Sequence, residues 1–309
     1  MVILLAGAAY LNSSARQPDR PVPPASRSTP VTTPTATSPP ATGPASRTVF
    51  GASFGRLRGE PYDQALARTD RTLGKLDIVR VFYSEAPDMW PGKAPGRNLV
   101  VSFKLPPKAV AAGQYDAQMR NWFASAPRNL DIYWVFWHEP ENDIEDGLFT
   151  AAEFRAAFAR LSELARAARN PRLKATLVLM SYTTRESSER NWRDYYPGSR
   201  AVDIFGWDVY NRPDRETAYT PPQELLGIQL DIAKSLGKPF GIAEIGSVIA
   251  PGDDGSGRAA WLSQVGQYLK QQQAVFVAYF DHAWNGGADD YRLDDPAALR
   301  AWAEIRARP

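Results

Sequence analysis

The sequence of 309 residues contains no cysteine and only two histidines. The absence of cysteine excludes disulfide bonds, thiolate-bound metals, a cysteine nucleophile and a lipid-modified N-terminal cysteine. Two histidines are too few for a three-histidine metal site. Any chemistry therefore has to rest mainly on carboxylates, and we expect neither a cofactor nor a metal.

The chain also lacks an excess of charge of one sign. It carries 36 basic and 34 acidic residues, which gives a net charge of +2. A dedicated nucleic-acid-binding protein would need a strong basic excess, so that class is excluded. With 44% hydrophobic residues, most of the chain can nevertheless bury a core.

Long apolar runs are missing as well. Residues 1–11 are apolar and uncharged, but they are too short to cross a bilayer as a helix. They resemble the apolar part of an export signal, although a basic start is absent. We therefore interpret residues 1–15 as a signal peptide or the remnant of a membrane anchor. A buried N-terminal strand is the alternative.

Residues 16–47 are predicted to be a disordered linker. Positions 17–47 contain nine prolines, six threonines and four serines, with no aromatic residue, leucine or isoleucine. Such a segment cannot bury enough apolar surface to offset the entropy of ordering its backbone. An apolar leader, a Pro/Ser/Thr-rich stalk and then a domain predict a secreted protein, or one tethered through its N-terminus to a membrane or cell wall.

The remaining segment, 48–309, is predicted to be one α/β domain. Eight short runs rich in β-branched and aromatic residues have the continuous apolar character of parallel strands that are covered on both faces. These runs are Thr48–Ser53, Asp77–Tyr83, Leu99–Lys104, Ile132–His138, Ala175–Ser181, Val202–Tyr210, Pro239–Glu244 and Ala274–Phe280.

Helical patterns alternate with these runs, which favours a (β/α)8 barrel. The predicted helices are Tyr62–Leu73, Tyr115–Ser125, Thr150–Ala168, Pro222–Leu236, Arg258–Gln272 and Pro296–Arg306. The third begins with a capping box, Thr150 to Glu153. Residues 84–98 look like a loop, and the fifth run is followed by at most a short helix near Glu189–Tyr195. A doubly wound open sheet is the alternative, but no glycine-rich phosphate loop follows the first strand.

Two glutamates stand at strand ends, where a (β/α)8 barrel builds its active site. Glu139 follows the fourth run and Glu244 ends the seventh. Two glutamates that converge on one cleft suit the cleavage of a glycosidic bond, in which one protonates the leaving oxygen and the other attacks or activates water.

Other strand-end residues are suited to binding sugar. Both histidines, His138 and His282, lie there, as do Trp207 and Trp284, whose rings could stack on a sugar face. Arg80 and Lys104 are charged residues within or at the end of strands two and three, which lining the cleft would explain.

Several of these segments resemble glycoside hydrolase family 26: WHEPEN at 137–142, DIFGWDVYN at 203–211, IAEIG at 242–246 and FDHAW at 280–284. That family belongs to a clan of retaining (β/α)8 enzymes with catalytic glutamates after strands four and seven. The resemblance implies that Glu139 is the acid/base and Glu244 the nucleophile. It also implies that Tyr210 orients Glu244, that His138 precedes the acid/base and that Trp284 forms the floor of the cleavage subsite.

The acidic stretch 141–147, ENDIEDG, departs from the family's mannan-cleaving members, which have aromatic residues there. It is interpreted as a solvated loop that caps the next helix, or else as a site for a cationic sugar, a divalent ion or a basic partner. The departure weakens an assignment to β-mannan.

Three functions remain open from the sequence. The first is a retaining, endo-acting glycosidase that cleaves a β-linked polysaccharide of the mannan or glucan type. The second is a barrel at the cell surface that binds glycan without cleaving it. The third is a metal-dependent hydrolase that uses His138, Glu139, Asp143 and His282, although 138–142 lacks the second histidine of an HExxH helix. The expected partner is a polysaccharide or oligosaccharide, and the chain is expected to be a monomer.

Overall fold

The computed structural model describes residues 47–307, except 86, 88–89, 91, 214–218, 285–286 and 288. The leader or anchor predicted over 1–15 and the linker predicted over 16–47 therefore lie outside the described residues, apart from Arg47. Within the described part of the chain, no helix has the length and apolar character that spanning a bilayer requires.

Eight parallel strands close into a barrel in the order β1 to β8. They are β1 (Val49–Phe54), β2 (Ile78–Tyr83), β3 (Asn98–Phe103), β4 (Ile132–Phe136), β5 (Leu173–Met180), β6 (Ile204–Asn211), β7 (Phe240–Ser247) and β8 (Phe276–Asp281). Strand β8 pairs with β1 over six successive residues, from Val49 to Phe54 on the β1 side. This closure confirms the predicted barrel and excludes the open sheet.

Eight helices accompany the strands in the described residues. They are α1 (Tyr62–Leu73), α2 (Pro107–Ala111), α3 (Asp116–Ser125), α4 (Pro140–Glu145), α5 (Ala151–Ala167), α6 (Pro222–Ser235), α7 (Ser256–Gln271) and α8 (Pro296–Ala307). After β8, two short strands, β9 (Ala283–Trp284) and β10 (Asp289–Asp290), pair in antiparallel fashion. The six predicted helices are all present, and α2 and α4 are additional.

The connections after β2 and β5 lack a regular α-helix in the described residues, as the sequence indicates. In the described residues between β2 and β3 no helix forms. After β5 the chain makes three 3₁₀ turns, Ser181–Thr184, Glu186–Ser188 and Trp192–Tyr195. The last of these covers part of the short helix predicted near Glu189–Tyr195.

Strand alternation divides the apolar residues into two layers, because successive side chains point to opposite faces. One buried cluster fills the barrel interior and includes Ile78, Val100 and Phe276. A larger cluster lies between the strands and the helices and includes Val79 and Val101. A given strand residue therefore faces either the barrel interior or the helices, and this decides which strand-end residues can reach the cleft.

Two local features show why the sequence adopts this arrangement. Helix α5 has the predicted capping box, in which the Thr150 side chain accepts from the Glu153 backbone N–H and the Glu153 side chain accepts from the Thr150 N–H. In β1, a Cβ on Gly51 would lie 1.7 Å from the carbonyl oxygen of Ile78 in β2. Glycine is therefore required for the close approach of these two strands.

Candidate active site

The nucleophile candidate, Glu244, lies in β7 and is 5% exposed. Each of its carboxylate oxygens has its own donor. Arg80 Nη2 in β2 lies 3.2 Å from Oε1, and the Tyr210 hydroxyl in β6 donates to Oε2. Such donors stabilise the ionised form of a buried carboxylate.

The guanidinium of Arg80 is held in place by its own neighbours. Arg80 is 1% exposed, and its Nη1 donates to Ser102 Oγ in β3 at 2.6 Å. Its Cζ lies 4.3 Å from the centre of the Phe82 ring. Arg80 is two residues beyond Ile78, so alternation places both side chains inside the barrel. The sequence predicted that Arg80 lines the cleft, and the structure places it beneath the cleft against Glu244.

The acid/base candidate, Glu139, lies immediately before α4 with a left-handed backbone (φ 51°, ψ 59°). Its backbone N–H donates to the Val178 carbonyl in β5 at 3.2 Å. Among the described residues, nothing donates a hydrogen bond to its carboxyl group. Burial, and then the negative charges of Glu244 and Glu141, raise the pKa of Glu139 to about 8.

The two glutamates therefore have different environments, although they influence each other's ionisation. Burial also raises the pKa of Glu244, but Arg80 and the Tyr210 hydrogen bond oppose that rise. Glu139 has no comparable hydrogen bond. The donors thus favour the ionised form of Glu244, whereas Glu139, with a pKa of about 8, keeps its proton at neutral pH.

Asp208 is a third carboxyl group in the same place, and the sequence reasoning missed it. It is the register partner of Glu244 between β6 and β7, it is 2% exposed, and neither of its oxygens has a hydrogen-bond partner among the described residues. Burial and the charges of Glu244 and Glu139 raise its pKa well above the ordinary value. Alternation was the available signal, because Asp208 stands two residues before Tyr210 in the same strand.

Both histidines lie just beyond the ends of strands: His138 follows β4 and His282 follows β8. His138 packs its ring 5.2 Å from that of Phe82, and His282 stacks on Phe280 at 4.4 Å. Burial, with the charges of Arg80 and Lys104, lowers the pKa of His138, and burial lowers that of His282 to about 4. Both rings are thus neutral at neutral pH, and His138 Nδ1 and His282 Nε2 have no hydrogen-bond partner in the part of the chain that the structure describes.

The two tryptophans predicted to bind sugar have different positions. Trp284 in β9 is partly exposed, and its ring centre lies 6.1 Å from that of Phe280. Trp207 is 0% exposed and stacks on Phe205 at 4.9 Å. The prediction for Trp207 was wrong, because alternation along β6 turns Asp208 and Tyr210 inward and Trp207 outward, into the layer under the helices.

The interpretation of the acidic stretch as a solvated loop was also wrong. Residues 140–145 form α4, and Asp143 is buried. Its Oδ2 accepts from Trp137 Nε1 at 2.6 Å and from Lys104 Nζ at 3.1 Å. Lys104, predicted to bind substrate, is thus paired with Asp143, and its ammonium lies 5.0 Å from the centre of the Trp137 ring.

Two more acidic residues of this stretch have partners in the protein. Glu141 is 0% exposed, and its Oε1 accepts from the Met180 N–H and the Thr183 hydroxyl. Arg190 donates to Asn142 and pairs with Glu145. Together these contacts fasten α4 to the end of β5 and hold the turn that carries Glu139.

No protein-family model matches the sequence, and no curated protein is significantly similar to it. Solved structures do match. The fold of this chain resembles the folds of glycoside hydrolase family 26 enzymes. A family 26 β-mannanase from Bacteroides ovatus is 13% identical with a TM-score of 0.55, and the match covers 85% of this chain and 89% of that one.

Further structures are similar to the same extent. An endo-β-1,4-mannanase from Cellulomonas fimi is 16% identical with a TM-score of 0.57, covering 85% of this chain and 71% of the other. A glucosidase from Croceicoccus marinus is 14% identical with a TM-score of 0.57, covering 84% and 67%. The motifs that suggested family 26 thus occur in a chain with that family's fold.

The site offers a proton donor, a carboxyl group with a hydrogen-bond donor on each oxygen, and neutral polar and aromatic groups around them. Within the described residues, no group of three or more His, Asp or Glu side chains is arranged to hold a metal ion. Two carboxyl groups in this arrangement can act on a bound molecule, one as a general acid or base and the other as a nucleophile.

Proposed function

We propose that the chain is a retaining glycoside hydrolase that cleaves a β-linked polysaccharide of the mannan or glucan type, and that it cleaves within the chain. The observation that carries the proposal is the contrast between the two glutamates. Glu244 has a donor on each oxygen, whereas Glu139 has none among the described residues and has a pKa of about 8. One is prepared to act as a base or nucleophile and the other as an acid.

In the first step, Glu139 protonates the glycosidic oxygen while Glu244 attacks the anomeric carbon, and a glycosyl ester forms on Glu244. The ester removes the negative charge of Glu244, which lowers the pKa of Glu139 and favours its ionised form. In the second step, Glu139 removes a proton from water, which attacks the anomeric carbon and releases Glu244. Arg80 and Tyr210 stabilise the departing carboxylate.

The groups around the two carboxyls are suited to holding the sugar. His138 and His282 are neutral, so each can both donate and accept hydrogen bonds to sugar hydroxyls. The partly exposed Trp284 can stack on a sugar face. We further propose a secreted or surface-tethered location, which rests on residues 1–47, and a monomeric state.

The test is hydrolysis of a panel of polysaccharides by the full chain, with Glu244→Ala as the control. The panel includes mannan, mixed-linked and β-1,3-glucan, xylan, arabinan and galactan. We expect release of sugar by the wild type alone, and proton NMR should show that the new chain end first appears in the β configuration. If the α configuration were formed first, before mutarotation, the double displacement would be contradicted. Glycan binding without turnover would support the non-catalytic barrel instead.

A further inference from the structure

Two cations, Arg56 and Lys93, border the mouth of the barrel on the side of β1 and β2. The Lys93 ammonium is fixed in position: it donates to the Phe82 carbonyl at 2.5 Å and lies 4.4 Å from the centre of the Tyr83 ring. It also lies 5.6 Å from the centre of the Tyr62 ring. Arg56 is exposed, in the loop that follows β1.

Neither cation makes an ion pair with a described residue. The nearby Glu60 is already paired with Arg68. Lys93 is half-buried, and its pKa is lowered by burial and by the like charge of Arg56. A half-buried ammonium without an ion pair among the described residues is a positive charge that an anion can stabilise.

The position of the two cations connects them to the catalytic groups. The carbonyl that accepts from Lys93 belongs to Phe82, whose ring contacts both Arg80 and His138. Arg56 follows Gly55, where a Cβ would lie 3.6 Å from His282 Nδ1. The cations thus lie beside the cleft.

The carboxyl ends of the other strands have the opposite character. The acidic residues there are Glu139, Glu141, Asp143, Asp208, Glu244 and Asp281. Of the cations nearest to them, Arg80 binds Glu244 and Lys104 binds Asp143. An anionic group on a substrate would therefore be attracted to the side of β1 and β2, where Arg56 and Lys93 have no ion pair with a described residue.

We propose that Arg56 and Lys93 bind the carboxylate of a uronic acid unit in the substrate, at a subsite next to the point of cleavage. A guanidinium can hold a carboxylate through two parallel hydrogen bonds, and the fixed ammonium adds a point charge. The inference rests on the proposed function and narrows its substrate to β-linked polysaccharides that carry uronic acid.

The test compares a uronate-bearing β-linked polysaccharide with the same polymer after chemical reduction of its carboxyl groups. We expect the wild type to have a lower KM for the acidic polymer. Arg56→Gln should raise that KM by about tenfold, the loss expected for one charged hydrogen bond, so that the KM values of the two polymers converge. Arg58→Gln, an exposed cation of the same loop, is the matched control and should leave the KM ratio as in the wild type.

Lys93→Met is the second variant, and circular dichroism checks that it folds. It should also bring the KM for the acidic polymer closer to the KM for the reduced polymer. Equal KM values for the two polymers in the wild type would overturn the subsite and leave the glycosidase intact. So would an equal response to Arg58→Gln, because it would indicate a general charge effect. A sulfated form of the reduced polymer that restores the low KM would overturn the assignment to carboxylate.

If no polymer is hydrolysed, the proposed function fails and the subsite is judged by binding alone. The probe is then a glucuronate-containing oligosaccharide, measured by calorimetry on the wild type and on Arg56→Gln. Weaker binding to the variant supports the subsite, and absence of binding to the wild type overturns it.

Discussion

Charged side chains at the two ends of the barrel differ in their hydrogen-bond partners. At the end where the strands begin, cations bind backbone carbonyls at the C-termini of helices. Arg128 donates to the Ala168 and Arg169 carbonyls after α5, and Arg306 donates to the Leu73 carbonyl at the end of α1. At the other end, Asp208 is buried, and no described residue donates a hydrogen bond to either of its oxygens.

The difference follows from the direction of the helices. Helices that run antiparallel to the strands place their free carbonyls, and the negative ends of their dipoles, where the strands begin, and cations stabilise both. Where the strands end, buried polar atoms of Asp208, His138 and His282 have no hydrogen-bond partner in the described part of the chain. Among the described residues, one end thus uses cations to stabilise helix C-termini, whereas the other keeps buried carboxyl and imidazole atoms without a partner.

The largest expected effect is a loss of activity from a substitution at the end where the strands finish. Glu139→Ala should lower kcat by about 10²- to 10⁴-fold on a polysaccharide, because its leaving group needs a proton. An aryl glycoside with a good leaving group should lose much less in the first step, which a pre-steady-state burst of phenol would show.

The wild type should also lose activity as the pH rises through about 8, where Glu139 loses its proton. The basic limb of the pH profile should be absent in Glu139→Ala. Glu163→Ala, on the exposed face of α5, is the control, and a similar loss of activity in it would contradict the role of Glu139.

Removing the cation beneath the cleft should have the next largest effect. Arg80→Met takes a donor from Glu244 Oε1, so we expect kcat/KM to fall by about 10²- to 10³-fold. The pKa of Glu244 should rise, which shifts the acidic limb of the pH profile to higher pH. Ser102→Ala, which removes only the support of Arg80, should give a smaller change of the same kind. An unchanged acidic limb in Arg80→Met would count against this role.

A cation at the opposite end should affect stability alone. Arg128→Ala removes two hydrogen bonds to carbonyls and should lower the free energy of unfolding by about 1 kcal/mol, with kcat and KM unchanged. Urea denaturation measures the change. Arg200→Ala, an exposed cation near the same end, should have almost no effect. If Arg128→Ala were fully folded and still less active, the functional difference between the two ends would be contradicted.

The smallest expected effect concerns the pH dependence of stability. The folded state keeps a proton on Asp208 that the unfolded state releases near its ordinary pKa, about 4. Stability therefore falls as the pH rises above that value, towards the raised folded-state pKa. Asp208→Asn removes this contribution, so its Tm should exceed that of the wild type by a few degrees at pH 8 and by less at pH 5.

Thermal unfolding at the two pH values measures this effect. Asp231→Asn, at an exposed position in α6, is the control. A Tm difference between Asp208→Asn and the wild type that does not change with pH would contradict the buried, protonated carboxyl.

The sequence was sufficient for the barrel, because its apolar runs and capping box are local patterns. It placed Trp207 in the cleft and missed Asp208, although the two are adjacent, because standing near a strand end says nothing about which face a side chain occupies. If Tyr210 is taken to face inward, alternation along β6 places Asp208 on the same inward face and Trp207 on the opposite face. The pairing of Lys104 with Asp143 spans 39 positions, and the local sequence does not reveal it.

The backbone around Glu139 has a consequence for transplanting this chemistry. Trp137 and Glu139 both have φ of 51°, on either side of His138, so the regular alternation of β4 ends there. A lone glutamate grafted at the end of a regular strand in another barrel would aim its carboxyl elsewhere. The transferable unit is residues 137–145 together with the end of β5 that anchors α4.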